Sequence, residues 1–292
     1  MFTRELIAQV KKIEIQTRRT VDELTAGAYH SVFKGKGIEF SEVREYTFDD
    51  DIRDIDWNVT ARMGKPFIKK FSEDRELTVM LMVDASASTQ FGSSSKSKYQ
   101  QVIEVASLLA LSAIRNNDRV GLIIFTDTTE LYLSPRSGRR HGLRLIRELV
   151  AYESNGIKTD IGAALQHVIN GLKKRSIVFL ISDLIDSKDF SREMKMINKR
   201  HDLVAVRTLD LLEREWPASG CFSLEDSETG EMSLFNATKA TRNQYMQHVA
   251  SQHASVELLC REANVDLVDI VSGKNVVEAL LQFFKKRKVT QR

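Results

Sequence analysis

The chain of 292 residues holds only two cysteines and three prolines, and it has no long apolar run. Cys221 and Cys260 stand far apart and form no C-x-x-C pattern, which excludes a disulfide framework and suits a reducing compartment. No run approaches the roughly 20 apolar residues of a membrane span. The longest candidates, Leu77–Val83 and Ile177–Ile181, have the length of core strands. No signal peptide is recognisable: Met1-Phe2-Thr3-Arg4-Glu5 becomes charged at once. The expected location is therefore the cytoplasm. Net charge is only +3, and Lys and Arg are scattered, so the composition argues against a nucleic-acid partner. The six histidines form no zinc spacing, and neither H-E-x-x-H nor G-x-S-x-G occurs. The Phe33–Phe40 loop lacks the G-x-x-x-x-G-K-[ST] spacing of a phosphate loop. The acidic stretch Asp49–Asp56 lacks the sixth-place Gly of an EF-hand.

What is present is an alternation of two periods. Charged residues make up 28% and hydrophobic residues 42%, as in soluble globular proteins. From Leu77 onward, short Val/Ile/Leu-rich runs alternate with amphipathic stretches. Strands are predicted at 77–83, 119–125, 177–181, 203–208 and 265–271, with a short antiparallel edge strand at 130–133. Helices are predicted at 98–114, 142–152, 161–172, 187–199, 240–263 and 275–288, and a hairpin over 221–235. An opening helix carries Leu6, Val10, Ile13, Val21 and Leu24 on one stripe. This order predicts an α/β fold, a doubly wound and mostly parallel sheet with helices on both faces. Residues 1–76 are expected as an N-terminal appendage packed on a main domain at 77–292, because they are too few and too polar to bury much core alone.

The strand at Leu77–Val83 runs straight into Asp84-Ala85-Ser86-Ala87-Ser88. A carboxylate and two hydroxyls thus emerge from the middle of a sheet. Thr159 lies in a polar loop before the helix at 161, and Asp183 follows the strand at 177–181. In a doubly wound sheet, ligands bind outside the carboxyl ends of the strands where the order reverses. Asp and Ser after a strand are also ordinary turn formers and caps. Oxygen-only donors suit a hard divalent cation such as Mg²⁺ or Mn²⁺ better than zinc.

Asp84, Ser86, Ser88, Thr159 and Asp183, in that order, resemble the metal-ion-dependent adhesion site of a von Willebrand factor A-like domain. A second set comprises Gly35-x-Gly37-x-Glu39-Phe40, Arg44-x-Tyr46, Asp50-Asp51-x-Arg53-x-Ile55-Asp56-Trp57 and Ala61-Arg62. With the metal motif it is similar to the bacterial family called domain of unknown function fifty-eight. The resemblance implies a sheet of the von Willebrand factor A type, cytoplasmic, working beside MoxR-type AAA+ ATPases. Two departures stand out: Phe48-Asp49 replaces an expected Pro-Gly, and Thr89 replaces a common Met.

The acidic segment has two readings. Arg44, Arg53 and Arg62 pair with Asp50, Asp51, Asp54 or Asp56 while Trp57 packs in a core, or Asp50, Asp51, Arg53, Asp54 and Asp56 form a partner-docking face. For the whole chain the leading reading is a non-enzymatic, metal-dependent protein-interaction module. A partner's Asp or Glu completes the metal shell, the partner being a MoxR-type ATPase or its client, in chaperone-like assembly or cofactor insertion. The alternative is a magnesium-dependent phosphatase or phosphotransferase of haloacid-dehalogenase-like layout. That chemistry needs a second acid two residues after the first Asp, and position 86 is Ser.

Overall fold

A computed structural model describes residues 10–14, 39–48, 50–72, 76–93, 97–154, 156, 158–214, 219–225 and 230–290. The chain forms two compact units, one spanning Phe33–Leu77 and the other holding the rest. Gly35 and Gly37 of the signature, Asp49, and most of the expected opening helix lie outside the described residues. Of that helix, residues 10–14 are helical, and Val10 is buried.

In the larger unit, β-strands Thr78–Asp84 (β3), Arg119–Phe125 (β4), Thr129–Arg136 (β5), Ile177–Ser182 (β6), Asp202–Leu209 (β7) and Asp266–Val271 (β10) form one six-stranded sheet. Its order is β10-β7-β6-β3-β4-β5, parallel except for β5, which runs antiparallel at the edge. This is the doubly wound, mostly parallel architecture expected from the alternating pattern. β6 is buried at every position and β3 at all but its first, as a strand covered on both faces requires. Helix α2 (Lys98–Arg115) packs on β3, β4, β6 and β7, beside α3 (Arg139–Val150) and α7 (Val276–Thr290). The other face buries Met80, Met82, Ile123, Phe125, Val178 and Leu180 against α4 (Ile161–Gly171), α5 (Ser191–Arg200) and the end of α6 (Lys239–Glu262). The strand order reverses between β3 and β6, so the crevice at their carboxyl ends is the switch point.

Several boundaries moved for local reasons. Helix α5 begins at Ser191 and not at 187: Asp189 accepts from the Ser191 amide at 2.9 Å in an Asx turn that leads into the helix, whose N-cap residue is Phe190. The hairpin is present as Cys221–Glu225 (β8) against Met232–Asn236 (β9). Cys221 is exposed and Cys260 buried, and both are free thiols.

The smaller unit is a two-stranded hairpin, Glu39–Glu45 (β1) against Phe67–Ser72 (β2), with a 3-10 turn at Ile52–Asp54 and helix α1 (Trp57–Met63) between them. Its acids are local fasteners. Asp50 takes a forked pair from Arg44 at 2.9 and 2.6 Å and two more bonds from Thr47. Those bonds, led by Arg44, hold the Asp50 carboxyl down at about 2. Asp51 caps the 3-10 turn through the Arg53 amide, and Asp56 caps α1 through the amides of Asn58 and Val59. Gly64 ends α1 at φ +71°, a conformation open to glycine. Arg53, Asp54 and Arg62 make no ion pair among the described residues.

Trp57 corrects an expectation. It is 68% exposed and does not pack in a core. Helix α1 turns only Val59 and Thr60 partly inward, and Ile68 is the buried hydrophobic side chain among the unit's described residues. So small a unit has nowhere to bury an indole.

Trp57→Ser is therefore expected to change stability by no more than about 0.5 kcal/mol, whereas Asp56→Ala loses a cap and costs about 1 kcal/mol. Hydrogen exchange of the amides at 57–63 reads both. Strong deprotection by Trp57→Ser, equal to that of Asp56→Ala, would contradict the assignment.

Candidate metal centre

Strand β3 carries the chain out of the sheet at Asp84, which is fully buried and lies in register with Phe125 of β4. One Asp84 oxygen accepts from the Ser86 amide at 2.9 Å, and the other accepts from the Ser182 hydroxyl at 2.6 Å. The first bond curls the loop back on itself as an Asx turn. The second ties the ends of β3 and β6 together. Ser86, also fully buried, brings its Oγ to 3.1 Å from the Oγ of Ser88. The Thr89 hydroxyl donates to the Ser86 carbonyl at 2.7 Å and holds the 3-10 turn Ala87–Gln90. The Thr at position 89 thus has a structural use.

Asp183 is one residue past β6 and 2% exposed. The next residue, Leu184, adopts φ +60° while buried. That is an outlier for a bulky side chain, and such strain marks a turn held by its surroundings. Here the Leu184 amide donates to Ser182 Oγ at 3.0 Å and the Ile185 amide to Asp183 at 3.2 Å.

Thr159, 8% exposed, lies just before α4. Its loop is fastened to the same end of the sheet. The Asp160 amide donates to the Thr126 carbonyl at 3.0 Å, and the Ile161 amide donates to Asp186 at 2.8 Å. Upstream, the Gly156 amide donates to Glu130 at 3.0 Å. A Cβ on Gly156 would stand 2.2 Å from Thr126 Oγ1, so this approach admits only glycine.

The structure thus joins Asp84, Ser86 and Ser88 in one hydrogen-bonded set, links it through Ser182 to Asp183, and brings Thr159 to the same sheet end. Asp50, Asp51, Arg53, Asp54 and Asp56 lie in the smaller unit, where three of the four acids are committed to local bonds. Three residues of the centre were not foreseen: Ser182, Lys98 and Glu213. Lys98 is 1% exposed and donates to Asp183 at 3.0 Å and to Glu213 at 2.6 Å. The lysine had one visible oddity, a cation in the first turn of a helix. Glu213 had none.

The electrostatics follow from burial. Burial first, then the neighbouring charge of Asp183, push the Asp84 carboxyl up to about 6, against opposing hydrogen bonds from Ser182 and Ser86. For Lys98, burial disfavours the ammonium, but Asp183 and Glu213 outweigh it and raise its pKa, so it stays charged. Among the described residues no three His, Cys, Asp or Glu side chains gather as a metal cluster. A cation here would draw its remaining donors from Ser86, Ser88 and Thr159. Two carboxylates and three hydroxyls, all oxygen, fit a hard divalent cation with positions left open.

The family described as protein of unknown function DUF58 matches residues 42–255. An uncharacterized protein of Mycobacterium bovis, Mb1516, is 26% identical over 286 residues, covering 97% of this chain and 90% of its own. Among solved structures, the chain is similar to an aerotolerance-related membrane protein from Bacteroides fragilis, at 16% identity and TM-score 0.47, covering 72% of this chain and 99% of that one. It is also similar to a von Willebrand factor type A protein from Catenulispora acidiphila, at 11% identity and TM-score 0.41, covering 76% and 43%. A third is proximal thread matrix protein 1 from the mussel byssus with a zinc-occupied MIDAS motif, at 14% identity and TM-score 0.40, covering 73% and 47%.

These findings correct the cytoplasmic expectation. One of the similar structures is described as a membrane protein. The expectation rested on a missing leader and missing spans, and neither fixes location, since a water-soluble domain can be tethered to a membrane. Among the described residues no helix is long and apolar enough to cross a membrane.

Asp84 makes a testable statement about stability. Its folded pKa of about 6 lies above its ordinary 3.8. With a raised carboxyl, the metal-free protein is most stable, as far as this group decides, below about pH 4, and it loses that stability as pH climbs through about 6. Asp84→Asn removes the ionisation. In chelator the variant is expected to unfold a few degrees higher than wild type near pH 7.5, on the order of 2 kcal/mol, with no gain near pH 4. A variant no more stable at either pH would contradict the burial argument.

Proposed function

The chain belongs to the family described as protein of unknown function DUF58, and from that premise we propose that it is a metal-dependent protein-interaction module without catalytic turnover. The observation that carries this is the pairing of a fully buried carboxylate, Asp84, with Asp183 and two adjoining hydroxyls at the switch point. Asp84 and Asp183 would hold a divalent cation with Ser86, Ser88 and Thr159. Their orientations are already set by Ser182, by the Ser86 and Ile185 amides and by Lys98. A bound cation supplies a Lewis-acidic anchor for a carboxylate. The acidic group is a partner's Asp or Glu, because the chain's own nearby carboxylates are engaged in the bonds described. Mg²⁺ or Mn²⁺ is the proposed ion, on the hardness of the donors.

The absence of turnover rests on Ser86. A phosphotransferase of the layout considered above needs an acid at this position to protonate the leaving group, and a serine hydroxyl does not serve. Ser86 Oγ is bonded to Ser88, and no histidine stands by to activate it in any described bond. A MoxR-type AAA+ ATPase is the first partner to test, on family resemblance.

Calorimetric titration with Mg²⁺, Mn²⁺ and Zn²⁺ is expected to show one site in wild type, none in Asp84→Ala, and weakened binding in Thr159→Ala. Light scattering with the ATPase should show a complex in Mg²⁺ that EDTA dissolves and Asp84→Ala prevents. Equal metal affinity in wild type and Asp84→Ala would sink the reading, as would a complex indifferent to chelation or measurable phosphatase turnover.

A further inference from the structure

Lys98 is placed against its local physics. It opens α2, where the helix dipole disfavours a cation, and it is 1% exposed, where water no longer solvates the charge. Helix α2 does not need it, because Ser97 and Gln100 already cap that end with a reciprocal pair of bonds. What holds it is the other side of the crevice, Asp183 at 3.0 Å and Glu213 at 2.6 Å. Glu213 is itself fixed, its second oxygen accepting from the Asp210 amide at 2.8 Å. Asp210 in turn is bound by the amide and the hydroxyl of Ser93, on the loop that leaves the metal-site turn.

Resting on the metal-centre reading above, we propose that Lys98 is a resident competitor of the metal. Its ammonium neutralises Asp183 in the metal-free protein, lowers the affinity for a divalent cation, and leaves the occupied site one charge less negative, so that it repels an acidic partner group less.

The charge count supports this. Asp84, Asp183 and Glu213 carry three negative charges when ionised, and Lys98 returns one. The three hydroxyls add none. A divalent cation entering this set meets two net negative charges where it would meet three without the lysine, and a like charge bonded to one of its ligands, in a buried setting where such repulsion is poorly screened. The occupied set is then about neutral, so a carboxylate from outside reaches the cation without net repulsion and makes a charge-assisted contact. Metal and acidic ligand then strengthen each other's binding by the same factor. A site without the lysine would hold its metal tightly and attract the partner less.

The test uses the full chain and Mn²⁺ alone, with free ion measured by electron paramagnetic resonance and binding heat by calorimetry. Lys98→Met is expected to bind Mn²⁺ at least about tenfold more tightly than wild type. Lys98→Arg, which keeps the charge, stays within about threefold of wild type. Glu213→Gln leaves Asp183 as the carboxylate bonded to Lys98 and is expected to bind several-fold more weakly. Without metal, Lys98→Met should unfold at lower temperature than wild type, since two carboxylates lose their counter-ion, and Mn²⁺ should raise its unfolding temperature by more than it raises that of wild type. If wild type binds Mn²⁺ through Asp84 and Lys98→Met binds no more tightly, Lys98 only positions Asp183; the proposal is overturned and the metal centre stands. If no variant binds Mn²⁺ in an Asp84-dependent way, both fall. Should Lys98→Met not fold, Glu213→Gln decides, and unchanged or tighter binding there overturns the proposal.

Discussion

Two carboxylates buried at the ends of neighbouring parallel strands are the constraint on which the rest of the molecule turns. Charge of one sign concentrated out of water is costly, and a fold keeps it only where hydrogen bonds, a counter-ion or a ligand offset the cost. The first two offsets are visible here. Ser182 and the Ser86 amide hold Asp84, the Ile185 amide holds Asp183, and Lys98 supplies one positive charge. The strained turn at Leu184 and the glycine-only approach at Gly156 show how tightly the loops are drawn in around that pair. Apart from the buried Leu184 side chain, these features add nothing to the core. They are what a sheet end looks like when it is arranged around charge.

The scaffold explains why the arrangement can be afforded. Helices cover both faces of the six-stranded sheet, so β3 and β6 are held almost without exposed positions. Apolar packing on both faces holds these strands, and the residues just beyond their ends serve the crevice. The smaller unit works differently. Asp51 and Asp56 serve as caps and Asp50 takes the Arg44 fork, and the unit leaves Phe48, Ile52, Trp57 and Met63 in solvent.

How much of this was legible follows the range of the interactions. Apolar runs ending at Val83 and Ile181 marked β3 and β6, and the polar residues that followed marked Asp84, Ser86, Ser88 and Asp183, because strand burial is written in consecutive residues. The edge at β5 was legible as a short run directly after β4, and the free cysteines from their wide spacing. The start of α5 was missed by four residues, since the Asx turn at Asp189 that leads into it lies in an equally polar stretch. Trp57 was misread because an aromatic in a signature suggests a core, and only the size of the unit says otherwise. Lys98 was read as a plain helix residue. Its partners lie 85 and 115 positions away, and no local pattern records them.

The central claim is that this crevice is a cation site built from one named set of residues, and the most direct measurement is a crystal of the chain grown with Mn²⁺ and recorded at the manganese absorption edge. The account predicts one anomalous peak bounded by Asp84, Ser86, Ser88, Thr159 and Asp183, with the Lys98 ammonium displaced from Asp183 or strained against the ion. A peak elsewhere, or a well-ordered crevice with no peak and the Lys98–Asp183 bond unchanged, would contradict it.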